Sequence, residues 1–368
     1  VIIIAELAHA LAAHPDLVGV GKFVFLFIIV WWAWLNGSLY HDLHGNNDVR
    51  TRVFTFLQMF AVAGMATFAH NAMGEGAVGF ALSYGFFQLI LSYLWWRTGV
   101  HDPEHRPRST PYVRVYLIST ALFLISASIP APWQFVLWGI AVPLTLFLPM
   151  KNMKKASKDP NIDDQQVGFI TPSGVERFGL FSIIVLGEVI VGVVSGLTES
   201  AHLTWDIGLI AALGMAIGFA MWWIYFDFVS NRLPIKKPLP VTTWLYLHLP
   251  KTMCIAAAGA AILNVVEHGG EHLPVEVRWL LVGTIAIALI SISILMRTIQ
   301  VPDEQLKLFQ TGSKVTFASG ILIALVGLAP IETIPLLIIV LALMMAPISY
   351  GFRVWVHYLI EQNSEKAG

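Results

Sequence analysis

Long apolar runs separated by short polar breaks repeat from one end of this chain to the other. Twelve can be placed from length and breakers, at residues 1–14, 19–41, 52–71, 76–96, 112–129, 132–149, 173–198, 203–227, 242–266, 274–297, 313–329 and 332–356. Most hold about 20 residues, the length a helix needs to cross a hydrocarbon core about 30 Å thick. The first is too short for that and reads as a truncated span. Proline and glycine mark the breaks, among them Pro15, Gly74 with Gly76, Pro130 with Pro132, Pro172 and Pro330. The short alternating segments of a membrane barrel are absent. The pattern predicts an all-α polytopic membrane protein of about twelve transmembrane helices.

Charge then orients the spans. Only 12% of residues are charged and mean hydropathy is +0.71, whereas a soluble domain carries about 25% charged residues. With the runs numbered as above, every Lys and Arg except Lys22 and Arg278 falls on one side, 20 of the 22 in the chain. That asymmetry is the positive-inside signature and predicts both termini in the cytoplasm. A net charge of −1 excludes a basic nucleic-acid surface. Cys254 is the only cysteine, which excludes an internal disulfide and a cysteine-based metal site. No cofactor motif stands out.

Several words occur twice. Ile2-Ile3-Ile4-Ala5-Glu6-Leu7 matches Ile184-Val185-Leu186-Gly187-Glu188-Val189, and Trp31-Trp32-Ala33-Trp34-Leu35-Asn36 matches Trp222-Trp223-Ile224-Tyr225-Phe226-Asp227. Arg97 closes run 4 as Arg297 closes run 10, and Pro130 joins runs 5 and 6 as Pro330 joins 11 and 12. The offsets are 182, 191, 200 and 200 residues, growing along the chain. This predicts two six-helix repeats, 1–149 and 173–368, joined by a polar cytoplasmic linker at 150–172. Six spans is an even number, so the copies point the same way, as in some transporters.

An ionisable group at bilayer depth costs about 2.5–3.5 kcal/mol on insertion scales and is kept for a reason. Glu188 and Glu6 are therefore the leading candidates for an ion or substrate path, one buried glutamate in each repeat. A carboxyl that exchanges a proton when water or a cation arrives suits a proton-coupled carrier. The plain alternative is a neutral glutamate hydrogen-bonded between helices. His9 shares a helix face with Glu6 at i+3 and could relay protons. Lys251 follows Pro250 and His248 in run 9; it could pair with Asp227 or Glu188, or snorkel to the interface. Asp227 and its counterpart Asn36 close runs 8 and 2. His268-Gly269-Gly270-Glu271-His272 matches a zinc pattern on paper, but paired glycines before Pro274 read as a loop. No metal site is expected. Gly192/Gly196 and Gly214/Gly218 are GxxxG pairs, which serve close helix packing, either between the halves or in a dimer.

The run from Glu176-Arg177-Phe178-Gly179-Leu180-Phe181-Ser182 to Leu186-Gly187-Glu188 resembles the signature of the bacterial low-temperature-requirement protein A (LtrA) family. Leu7-Ala8-His9-Ala10-Leu11 and Trp31-Trp32-Ala33-Trp34 fit the same family, and the resemblance covers nearly the whole chain. It implies a bacterial inner-membrane, multi-pass protein, with Glu176 and Arg177 as motif residues at the cytoplasmic start of run 7.

Together these features favour a transporter or channel for a small solute or cation, in contact with membrane lipids. The competing classes are a non-transporting membrane protein that holds lipid, pigment or a partner complex, including a homo-oligomer, and behind it a membrane-embedded lipid-modifying enzyme. No residue set supports catalysis.

Overall fold

A hydrocarbon environment leaves backbone amides no partner but each other, so apolar runs of this length must close their hydrogen bonds within a helix. The computed structural model describes residues 2–45, 48–102, 106–156, 170–200, 202–267 and 273–367. Among them are twelve helices: α1 (Ile2–Ala13), α2 (Leu17–His44), α3 (Val49–Ala69), α4 (Ala77–His101), α5 (Arg106–Ser126), α6 (Trp133–Ala156), α7 (Pro172–Glu199), α8 (Trp205–Phe228), α9 (Pro238–Glu267), α10 (Val275–Leu295), α11 (Asp303–Val326) and α12 (Thr333–Ala367). Nine are long and apolar enough to cross a membrane; α1, α5 and α6 are not among the nine. Several helices start earlier than their apolar runs. α5 begins at Arg106 and not at 112, and α11 at Asp303 and not at 313, because a helix does not end where its hydrophobicity does. The zinc-like run at 268–272 and most of the expected linker, 157–169, lie outside the described residues.

The chain divides into two compact units. Unit 1 comprises Val1–Ala10 with Gly21–Gly174, and unit 2 comprises Leu11–Val20 with Val175–Gly368.

In unit 1, α3 packs on α4, α4 on α5 and α5 on α6. Its core is aromatic. Trp138 of α6 is fully buried, with the rings of Phe80 and Phe123 each 5.5 Å away. Burying an indole strands its N–H unless a partner is at hand, and Trp138 Nε1 donates to Ser126 Oγ at 2.7 Å. Trp32 on α2 repeats the solution with Thr145 Oγ1 at 2.6 Å. The N-terminus of α3 is capped by Asp48, whose carboxylate accepts the Thr51 N–H at 2.7 Å.

In unit 2, α9 packs on α10, α10 on α11, α11 on α12, and α12 and α9 both on α8. The most enclosed of the candidate spans is α9. Its stretch Ala256-Ala257-Ala258-Gly259-Ala260-Ala261 has side chains so small that neighbouring helices reach its backbone. One isolated bridge, Pro234 to Ile299, ties the α8–α9 connection to the α10–α11 connection.

Candidate functional site

Helices α7 and α9 run side by side through unit 2, in register along most of their length. Phe178 meets Trp244, Ser182 meets Lys251, Gly192 meets Gly259 and Gly196 meets Val266. The sequence offsets of these pairs stay between 66 and 70 residues, so both helices point the same way. Glycine makes the approach close. A Cβ at Gly192 would stand 2.3 Å from the Gly259 carbonyl oxygen, and one at Gly259 would stand 2.7 Å from the Glu188 carbonyl. Gly218 of α8 admits Val189, and Gly214 admits Ile262. Both GxxxG pairs are thus spent on packing inside unit 2.

Two buried ionisable residues, Glu188 and Lys251, belong to these two helices. Glu188 is 4% exposed, and its carboxyl makes no hydrogen bond to a described residue. Lys251 is fully buried. Its ammonium nitrogen donates to Ser182 Oγ at 2.5 Å and sits 3.5 Å from the centre of the Tyr225 ring, a cation–π arrangement. No carboxylate of a described residue lies within ion-pair distance of it. His248, one turn earlier on α9, completes the cluster. Its Nδ1 faces the Trp244 carbonyl at 2.7 Å and its Nε2 faces the Tyr225 hydroxyl at 3.2 Å. A carbonyl only accepts, so Nδ1 carries a proton, and Nε2 lies at hydrogen-bond distance from the Tyr225 hydroxyl. Pro250 precedes Lys251 and removes one backbone donor from α9 at this level.

The other sequence candidates separate from this cluster. Lys251 neither snorkels nor pairs with Asp227 or Glu188. Asp227 is exposed; it is two residues from Tyr225, and residues so spaced do not share a helix face. Asn36 is buried but satisfied, accepting from the Tyr116 hydroxyl at 2.5 Å and donating to the Trp32 carbonyl at 2.9 Å. Glu6 is not buried as its counterpart is. Its side chain is 40% exposed, and His70, not His9, meets its carboxylate at 3.4 Å. His9 instead lies against the His70 ring, 6.1 Å between centroids. The cause is position: Glu6 comes level with the end of α3, where His70 stands, whereas Glu188 lies against the small-residue stretch of α9. Glu176 is exposed near the start of α7, and Arg177 is half-buried with its Nε unpaired.

Ser182 and Tyr225 were not singled out from sequence. Both sit inside words that were, Ser182 in the Glu176 to Glu188 run and Tyr225 in the Trp222 to Asp227 run. A hydroxyl within an apolar word was the available signal.

No group of three or more His, Cys, Asp or Glu among the described residues is arranged to hold a metal ion. Residues 1–350 match the family model described as bacterial low temperature requirement A protein (LtrA). No curated protein matches the chain, and no solved structure does.

Proposed function

Starting from the finding that this chain belongs to the bacterial LtrA family and is a multi-pass membrane protein, we propose that it is a transporter or channel for a small solute or cation. In this proposal the path runs along the α7–α8–α9 seam, with Glu188 as the exchanging carboxyl and Lys251 as a second polar station. The Glu188 carboxyl carries the proposal, since the residue is 4% exposed and no hydrogen bond joins its carboxyl to another described residue. A glutamate kept for packing would be hydrogen-bonded, as most buried polar groups are. An unbonded one at this depth lowers stability and is kept where a passing proton or cation makes up the difference. Lys251 fits the same logic. An amine held by a hydroxyl and a ring face can gain or lose a proton without breaking an ion pair.

The parallel six-helix repeats belong to the same proposal. They are supported by neighbour order, α3–α4–α5–α6 in unit 1 and α9–α10–α11–α12 in unit 2, and by the repeated words. The Lys and Arg distribution supports an inner-membrane orientation with both termini in the cytoplasm.

The test is flux in proteoliposomes carrying a pH-sensitive dye and gradients of H⁺, Na⁺ or K⁺. Wild type is expected to conduct at least one of them. Glu188→Gln and Lys251→Met are expected to elute as wild type from a sizing column while flux falls to the empty-liposome level. Full flux in Glu188→Gln would remove the centre of the proposal.

A second reading, a lipid-holding protein, has one observation of its own. An apolar groove of ≈ 610 Å³ runs between α8 and α12, lined by Phe219, Trp223, Met345 and Phe352 among others. Absence of flux for every ion, together with a co-purifying lipid lost on Ala216→Trp, would favour it.

A further inference from the structure

Unit 1 holds a cavity of a different kind, ≈ 280 Å³ in volume, where the C-terminal ends of α2 and α4 meet the N-terminus of α3. Its wall is mixed in charge. Arg97, His41, His44 and His101 stand with Asp48 and Asp102 around it. Some of these have local reasons to be there. Histidines in the last turns of α2 and α4 complement the helix dipoles, and Asp48 caps α3. Those reasons explain single residues and leave the open space between them unexplained.

Its walls are fixed. The Tyr40 hydroxyl donates to the Leu94 carbonyl at 3.2 Å and lies 3.1 Å from Thr98 Oγ1. The His41 ring is held by Gln58 at 3.0 Å, and the His44 ring stands edge-on to Trp95. Arg297, which closes run 10 as Arg97 closes run 4, is held by a side chain. Arg297 donates from Nε to Ser313 Oγ at 2.9 Å, and Ser313 is bonded to Ser293. Arg97 lines the open space instead.

The contents follow from the charges. A lone anion would confront Asp48 and Asp102, and a lone cation would confront Arg97. A ligand with a phosphate at one end and an ammonium at the other satisfies both walls. Small-molecule sites usually enclose about 300–1,000 Å³, so this one is sized for a headgroup and not for a whole lipid. The geometry points to a binding site for a phosphate–ammonium zwitterion of the phosphoethanolamine class, independent of whether the α7–α9 seam conducts.

The experiment uses the full chain in nanodiscs of equimolar phosphatidylethanolamine, phosphatidylglycerol and phosphatidylcholine, with retained lipid measured by native mass spectrometry. Soluble O-phosphoethanolamine serves as competitor. Phosphatidylethanolamine is expected to be retained over the other two by roughly tenfold, the scale of one lost charge-assisted hydrogen bond. Arg97→Gln should lower retention of all phosphate headgroups, while Asp102→Asn should abolish the preference over phosphatidylglycerol. Competition by the soluble compound at equal affinity would mark a free metabolite as the source; none would mark the lipid headgroup. Equal retention of the three lipids by wild type, undiminished retention in a correctly eluting Arg97→Gln, or an unchanged preference in a correctly eluting Asp102→Asn, would overturn the assignment.

Discussion

Substituting Gly259 by alanine adds one carbon at the tightest approach of α7 to α9. That carbon would sit 2.7 Å from the Glu188 carbonyl carbon and oxygen and 3.0 Å from the Val189 nitrogen. All three are backbone atoms, so no rotamer change relieves the clash. Restoring an ordinary contact of about 3.5 Å requires the helices to part by roughly 0.8 Å. A gap of that size forfeits about a quarter to a half of the dispersion well for each atom pair facing across the seam. Overpacking of this kind costs about 1–3 kcal/mol. For a unit of this size each kcal/mol lowers Tm by roughly 2–4 °C. Gly192→Ala should behave alike, because its Cβ would lie 2.3 Å from the Gly259 oxygen. Once the helices have parted for one substitution the second is cheaper, so the double variant should lose less than the two singles combined. Gly187→Ala is the internal control. It is next to Glu188 on the same helix and a Cβ there meets nothing within 4 Å, so it should gain about 0.8–1 kcal/mol from helix propensity. Thermal unfolding in detergent followed by tryptophan fluorescence reads all four proteins. Equal loss in Gly187→Ala and Gly259→Ala, or strict additivity of Gly192→Ala with Gly259→Ala, would refute the packing argument.

Asn36→Leu removes the acceptor of the Tyr116 hydroxyl from a buried site. It should lower stability by about 1–3 kcal/mol while leaving flux per folded molecule unchanged; a flux defect without a Tm shift would put Asn36 back on the path. Asp48 responds to pH. The Thr51 N–H bond holds its carboxyl below the ordinary carboxylate range. A depressed folded value means that the capping contribution is fully present above the unfolded value, about 3.9, and is lost as pH falls through the lower folded value. Hydrogen exchange of the first α3 amides should therefore lose protection as pH drops below about 4 in wild type and not in Asp48→Asn, which caps without titrating. Identical pH profiles for the two proteins would show that the cap is not what titrates.

The helices were legible because a hydrocarbon core asks one length of every span; the described residues form twelve helices, of which nine are long and apolar enough to cross a membrane. Their starting points were less so. Arg106 to Tyr112 and Asp303 to Gly312 are polar stretches that hydropathy assigns to loops, yet both continue the helix. A backbone already winding gains a hydrogen bond for each further residue, and nothing between Asp303 and Gly312 interrupts it. Pro111 within α5 does not stop that helix either.

The polar residues show where such legibility ends. Glu188, Lys251 and Asn36 look alike in sequence, each an isolated polar group in an apolar run, and all three are buried. What separates them is the helix opposite. Asn36 meets Tyr116, 80 residues away, and Lys251 meets Ser182, 69 residues away, whereas the backbone at Glu188 meets Gly259, which brings no side chain at all. Hydropathy registers the cost of each group but not its compensation, because compensation is supplied by a distant segment. A substitution at Gly259 that opens the seam should therefore lower stability and, on the proposed path, conduction as well.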